Sequence, residues 1–292
     1  GQGYDICDLY VNRPDESYVG LFGVVYQDGV LKNIGVVNVT VSGDHSAGGL
    51  LGSNAATVSN CHCSGVVSGD QYIGGLVGQA IAGCTVIDSY FTGNVIGGLQ
   101  VGGLAGRDTG TVSNSYSTGS VTGNDSVGGL VGYAFFGSVS DSYSTSSVTG
   151  ENCVGGLVGL NDEVGNNMVT NSYSTGSVSG NEYVGGLIGS NGDRSTVNNS
   201  YSTGSVTGTS YVGGLVGTNG GNVTNSFWDM KTSGRATSAG GTGKNTTEMQ
   251  DIATFSGATW GIVAVALNET NPAYIWNIVN NVTYPFLSWQ PV

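Results

Sequence analysis

The sequence predicts an all-β protein, a parallel β-helix or β-solenoid of about eight rungs followed by a mixed C-terminal capping segment, and three observations carry that prediction. A Gly-Leu-x-Gly tetrapeptide recurs with its leucine at positions 21, 50, 76, 104, 130, 157, 187 and 215. The intervals between these leucines run from 26 to 30 residues, a period typical of stacked repeats. Glycine fills 53 of 292 positions while only 9% of residues are charged, a balance that marks fibrous, disordered or repetitive chains. Regularly placed Val, Leu, Ile and Tyr argue against disorder, because they can bury surface.

The repeat has two parts. After each Gly-Leu-x-Gly comes a segment typified by Val112-Ser-Asn-Ser-Tyr-Ser-Thr-Gly-Ser-Val-Thr-Gly123. From its Asn or Asp (Asn60, Asp88, Asn114, Asp141, Asn171, Asn199) to the next leucine is always 16 residues, and from Asn33 it is 17. The distance from leucine to the following Asn or Asp varies between 10 and 14. A constant segment is stacked rung on rung, and the variable one is a loop leaving the stack on one side. The longest such loop runs from Leu160 to Met168.

Period-2 alternation assigns the faces. Ser115, Ser117, Gly119 and Val121 share one parity, and Tyr116, Thr118, Ser120 and Thr122 the other. In the early rungs the first set aligns with Leu9 and Val11, Ile34 and Val36, then Cys61 and Cys63. That set therefore faces the core and the tyrosine set faces out. Serine and glycine inside the later rungs imply a narrow interior. A coil of this length suits about three walls, and right-handed winding is the expected hand for parallel crossovers. Eight rungs at about 4.8 Å each make a rod of roughly 40 Å. An antiparallel sandwich or propeller is the disfavoured alternative, since propeller blades need about 40 or more residues.

The pattern ends near Trp228. Residues 1–228 are read as the solenoid and residues 229–292 as its cap, because an uncovered end rung offers unpaired strand edges. Thr246-Thr247-Glu248-Met249 carries a helix-start signal. Trp260, Trp276, Tyr284, Phe286 and Trp289 concentrate the aromatics there. A small ligand-binding domain is the functional alternative for this segment.

The Val-Gly-Gly-Leu-Val-Gly units with intervening Asn-Ser-Tyr-Ser-Thr-Gly-Ser-Val resemble the GLUG-motif repeat family of bacterial and archaeal secreted and cell-surface proteins. Ser226-Phe-Trp-Asp229 through Tyr284-Pro-Phe-Leu-Ser-Trp289 looks like the segment that closes such arrays. The resemblance implies an extracellular or cell-surface location and a solenoid architecture, and it carries over no catalytic residue. Gly1-Gln-Gly-Tyr opens in mid-pattern, so the chain is read as a piece of something longer.

Chemistry is sparse. The net charge of -13 with seven Lys and Arg argues against nucleic acid. No apolar run reaches the roughly 18 to 20 residues that span a bilayer, so no membrane insertion is expected of this segment. His45 and His62 stand apart from any Ser or Cys nucleophile motif, and His62 falls in the outward tyrosine column. Asp88 and Asp141 belong to the Asn column, where these residues suit a corner. No catalytic residue, cofactor or metal is therefore expected. Asp125, Asp162, Glu163 and Glu182 offer oxygen ligands for Ca²⁺, but no calcium-binding motif frames them.

Five cysteines (Cys7, Cys61, Cys63, Cys84, Cys153) exclude a complete disulfide framework, and Cys61 and Cys63 are read as small core residues without a mutual bridge. Sequons for N-glycosylation lie at Asn38, Asn124, Asn198, Asn222, Asn245, Asn268 and Asn281.

The outward wall is the candidate contact surface: Tyr90, Tyr116, Tyr143, Tyr173 and Tyr201, with Thr118, Thr145, Thr175 and Thr203 beside them. The expected function is a non-enzymatic structural or adhesive surface protein, a rigid spacer or the subunit of an assembly or filament. Its partners would be further copies, a larger surface protein or a glycan. The alternatives are a carbohydrate-binding module using the Tyr/Thr wall and, more remotely, a β-helix enzyme degrading polysaccharide.

Overall fold

The structure is a computed structural model that describes residues 4–27, 29–81, 83–162 and 166–290. One coil shows how the repeat folds. Tyr116–Thr122, Asp125–Gly128, Val131–Ala134 and Ser138–Ser140 are four short strands, each on its own wall. Every one pairs in parallel with its equivalents in neighbouring coils, so Tyr116 lies over Tyr90, Val127 over Val101, Val131 over Ala105 and Val139 over Val112. Stacking gives parallel sheets of 14, 7, 8 and 8 strands, the last two counting eight coils.

The coil thus has four strand-forming walls where three were expected. The Val-Gly-Gly-Leu-Val-Gly stretch is not one wall but two, split at its double glycine. The chain doubles back so tightly that a Cβ on Gly128 would meet the Val131 carbonyl at 1.9 Å. The next residue, Gly129, faces across the interior to the long first wall, where a Cβ would meet the Ser144 hydroxyl at 2.3 Å. No side chain fits either place.

The Asn/Asp column is a corner, as the spacing implies. Asn60, Asp88, Asn114, Asp141, Asn171, Asn199 and Asn225 all hold φ between 46° and 50°, the left-handed region these residues tolerate best. Their side chains join successive coils: Asn60 donates to Asn33 at 2.7 Å, Asn114 to Asp88 at 3.3 Å and Asn171 to Asp141 at 3.1 Å.

Inside, Val36, Val67, Val95, Val121, Leu104 and Leu130 are fully or almost fully buried, as are Cys61 and Cys63. All five cysteines are unbridged, and burial pushes the Cys63 thiol up to about 12. The serine after each corner adds a buried polar column. Ser115 donates to the Ser113 carbonyl at 2.7 Å and accepts the Ser89 backbone N–H at 3.2 Å. Ser142, Ser172, Ser200 and Ser226 repeat the arrangement, so each hydroxyl satisfies its own turn and ties one coil to the next.

Asp108 is a buried carboxylate inside the coils. It is fully enclosed where the two adjacent coils carry Ala80 and Ala134, and burial pushes its carboxyl up to about 7. The first coil also departs from the expected alignment. Ile6, not Val11, stacks over Val36, and Val11 lies over Val41 and so over Val67. The first coil keeps a constant offset of 30 residues to the second, and the one-residue irregularity between Val36 and Val39 falls in the pairing of the second coil with the third.

After the last coil the chain does two things. Met230–Ser233 forms a short helix, α1, capped by the Asp229 carboxylate. The following segment lies on the final rung: Ala239 donates to the Val216 carbonyl at 3.1 Å, and Thr242–Lys244 adds a parallel strand to the first wall. Thr246–Met249 then forms α2, started by a capping box between Asn245 and Glu248 at the place the sequence predicts a helix start. Ile252–Ser256 forms α3, and a small sheet of Ile262–Ala264, Trp276–Ile278 and Phe286–Leu287 completes the segment. No helix among the described residues is long and apolar enough to cross a membrane.

Candidate functional site

The outward column of the first wall is a continuous aromatic stack. His62, Tyr90, Tyr116, Tyr143, Tyr173 and Tyr201 lie ring over ring, with centroids 4.7 to 5.1 Å apart and planes within 8° of parallel. Strand spacing dictates that separation. His62 sits in the stack where the sequence places it, and its Nε2 lies 3.3 Å from Asp5.

The stack is not the open wall that the sequence suggests. Tyr143, Tyr173 and Tyr201 are 8%, 6% and 1% exposed, because residues 245–290 fold back along this flank. Trp276, itself fully buried, packs on Tyr173 and Tyr201, and Trp289 lies tilted over Tyr116 and Tyr143. The Tyr201 hydroxyl donates to the Pro285 carbonyl, and the Gln290 amide donates to the Tyr173 hydroxyl. The physical reason is simple: a column of large rings is apolar surface, and the chain supplies its own aromatic partner.

The wall is therefore corrected to a shorter one. His62, Tyr90 and Tyr116 remain half-buried, Thr145 and Thr175 are exposed, Thr118 is intermediate, and Thr203 is buried. Face-to-face stacking also leaves only ring edges toward solvent, so the column offers no flat platform for a ligand.

At the rim, where the covered rings meet the open ones, lies a cleft of about 260 Å³. Its floor is the corner column at Asn114 and Asp141, and its sides are the chain from Pro272 to Ile275 and from Leu287 to Trp289. The Trp289 indole N–H donates to the Asp141 carbonyl at 3.2 Å, which fixes the ring. Burial raises the Asp141 carboxyl above its usual range, while hydrogen bonds from Asn171 and Ser140 oppose the shift. Sequence reading missed this cleft because it joins residues more than a hundred positions apart; the clustered late aromatics were its only signal.

Asp88 and Asp141 do not form a carboxylate pair, since Asn114 stands between them in the column. Asp125 and Glu182 are likewise separated by Asn152, and Asp162 accepts a hydrogen bond from the Tyr133 hydroxyl. Glu163 lies outside the described residues. A different group, Asp44, His45 and Asp70, brings its ligating atoms within 4.8 Å of one another, and the 2.6 Å contact between His45 and Asp44 belongs to it. Equivalent positions in successive coils bring Asp44 and Asp70 together, a signal that column alignment contains.

Among the sequons, Asn38 and Asn124 are exposed, as are Asn222, Asn245, Asn268 and Asn281, and Asn198 is partly buried. Asn38 already donates to Asp8 at 2.6 Å, and Asn245 caps α2.

Comparison with known proteins bears on this architecture. The model of the GLUG motif matches residues 69–96, 123–149 and 180–207. Halomucin of Haloquadratum walsbyi is 42% identical over 80 residues, covering 27% of this chain and 1% of halomucin. A protein of Evansella cellulosilytica, provisionally named a Gly-rich membrane protein, is 36% identical over 63 residues, covering 20% of this chain and 7% of that protein. The matches thus span only a small part of both relatives. A solved structure from Bacteroides ovatus, provisionally named an immunoglobulin A1 protease, overlaps 99% of this chain and 76% of its own at a TM-score of 0.46 and 17% identity. Each matched GLUG segment runs through the second, third and fourth walls and on to the next first wall, which is one full coil. The same four-strand coil recurs along the chain, three of its copies match the GLUG motif, and the chain folds as a parallel β-solenoid.

Proposed function

We propose that this chain is a non-enzymatic structural or adhesive module of an extracellular or cell-surface protein, a stiff spacer whose long axis is the stack of coils. The observation that carries the reading is the regularity of the walls. Each coil is hydrogen-bonded to the next along four sheets, a serine column and an Asn/Asp column, so it resists bending in every direction. A low content of Lys and Arg and a net charge of -13 suit an exported, solvated surface. The family resemblance and the match to halomucin point the same way. Self-association or attachment within a larger surface protein supplies its partners. Residues 229–292 act in this reading as a closing segment that also braces the flank.

An antibody against the folded solenoid tests the proposal on intact cells of the source organism. Labelling of unlysed cells, with the epitope set back from the envelope, is the expected result. Labelling that appears only after lysis overturns it.

A further inference from the structure

The rim cleft has a chemistry of its own, and it does not depend on the spacer reading. We propose that the cleft between the corner column and the C-terminal segment binds a neutral saccharide, with Tyr274 and Trp289 taking the apolar face of a sugar ring and Asn114 and Asp141 its hydroxyls. Four observations lead there.

First, the ring faces of the tyrosine column are used up by stacking on one another, whereas Tyr274 stands outside that stack and is 44% exposed. Trp289 is tilted by 32° and 33° against the column, so it is not a member of the stack either. The flat apolar surface on this flank is therefore concentrated at the cleft. Second, the floor brings an amide and a carboxylate together. Asn114 and Asp141 are successive members of the corner column, and Asn171 holds the Asp141 carboxylate from the far side. A pyranose needs that combination: a ring face of C–H groups and an edge of hydroxyls that both donate and accept.

Third, no Lys or Arg lines the cleft, and its charged residue is an aspartate. A uronate, sialate or phosphate would meet like charge without a cation to offset it, so the preferred ligand is uncharged. Fourth, the site is built from both parts of the molecule. The Trp289 N–H is fixed on the Asp141 carbonyl, and Leu287 beside it is fully buried. The cleft is thus held open by packing and exists without the ligand, which lowers the cost of binding.

The test is a chemical-shift titration of the whole chain with neutral oligosaccharides built on glucose, mannose and galactose, at concentrations up to about 10 mM. Saturable shifts confined to Asn114, Asp141, Tyr274 and Trp289 are expected for at least one of them. Tyr274→Ala, at an exposed position, should weaken that binding about tenfold or more with an unchanged melting curve. Because Trp289→Ala also loosens the flank, Asp141→Asn serves as the second variant. Asparagine holds the same corner in most coils, so the fold stays and affinity falls. The proposal is overturned by the absence of saturable shifts, by shifts centred on Tyr90 rather than the cleft, by tighter binding of acidic sugars, or by saccharide binding that both variants leave intact. Failure of the cell-surface reading would leave these solution results standing, and the reverse also holds.

Discussion

The two halves of the tyrosine column are built alike and covered differently. Tyr90 and Tyr116 stand in the same motif as Tyr173 and Tyr201, share their strand register and stack at the same separation. Yet the first pair is half-buried at the surface, while the second is closed under Trp260, Trp276 and Tyr284. The difference shows that a repeat motif sets the direction of a side chain, and the non-repeating segment decides whether it meets water. It also separates two sources of stability: stacking along the column, shared by both halves, and packing across it, which closes one half and reaches the other only where Trp289 meets Tyr116.

Removing the cross-packing should have the largest effect. Trp276→Ala deletes a fully buried ring from the centre of the covered half, and truncations of this kind cost about 3–5 kcal/mol. Residues 245–290 should then become sensitive to limited proteolysis, while the solenoid keeps its β-sheet circular dichroism. Simultaneous loss of both would show that flank and coils are one cooperative unit.

Alkaline titration should divide the halves next. Burial holds the Tyr173 and Tyr201 phenols above their ordinary value of 10, and Tyr116 is pushed up to about 12 by partial burial and its tyrosine neighbours. A raised phenol keeps its proton longer in the folded state, so its stabilising contribution is complete below pH 10 and is lost as pH rises further. For the closely buried Tyr173 and Tyr201 the loss is about 1.4 kcal/mol per pH unit each. Absorbance of phenolate and tryptophan fluorescence, followed together above pH 10, should show these two rings ionising in step with release of the flank. Ionisation with the tryptophans undisturbed would mean the cover is looser than its packing implies.

The smallest effect belongs to the open half. Tyr90→Ala removes one stacked ring from a half-buried site and should cost about 0.5–1.5 kcal/mol in thermal or denaturant unfolding. A loss as large as that of Trp276→Ala would erase the distinction between stacking and packing.

Much of the fold was legible because repetition multiplies weak signals. The constant spacing from Asn114 to Leu130 marked the stacked wall, and the parity of Tyr116 against Ser117 gave the inward and outward faces, both of which the strand register shows. The Asn/Asp corner was readable for a local reason, the tolerance of these residues for left-handed backbone. Two things were not. The split at Gly128 and Gly129 hides in a stretch whose apolar pattern is continuous, since glycine carries no burial signal of its own. The cleft between Asp141 and Trp289 is a contact between a repeat and a segment that occurs once, so no periodicity announces it.

The serine and Asn/Asp columns have a genetic corollary. Since each coil binds its successor through the same groups that bind its predecessor, whole coils can be gained or lost without rewriting any interface. Reach therefore changes in steps of one rung, about 4.8 Å. The bracing segment stays locked to the last tyrosines at every length. Recombination upstream would extend only the open face, and the cleft would keep the same lining at every length.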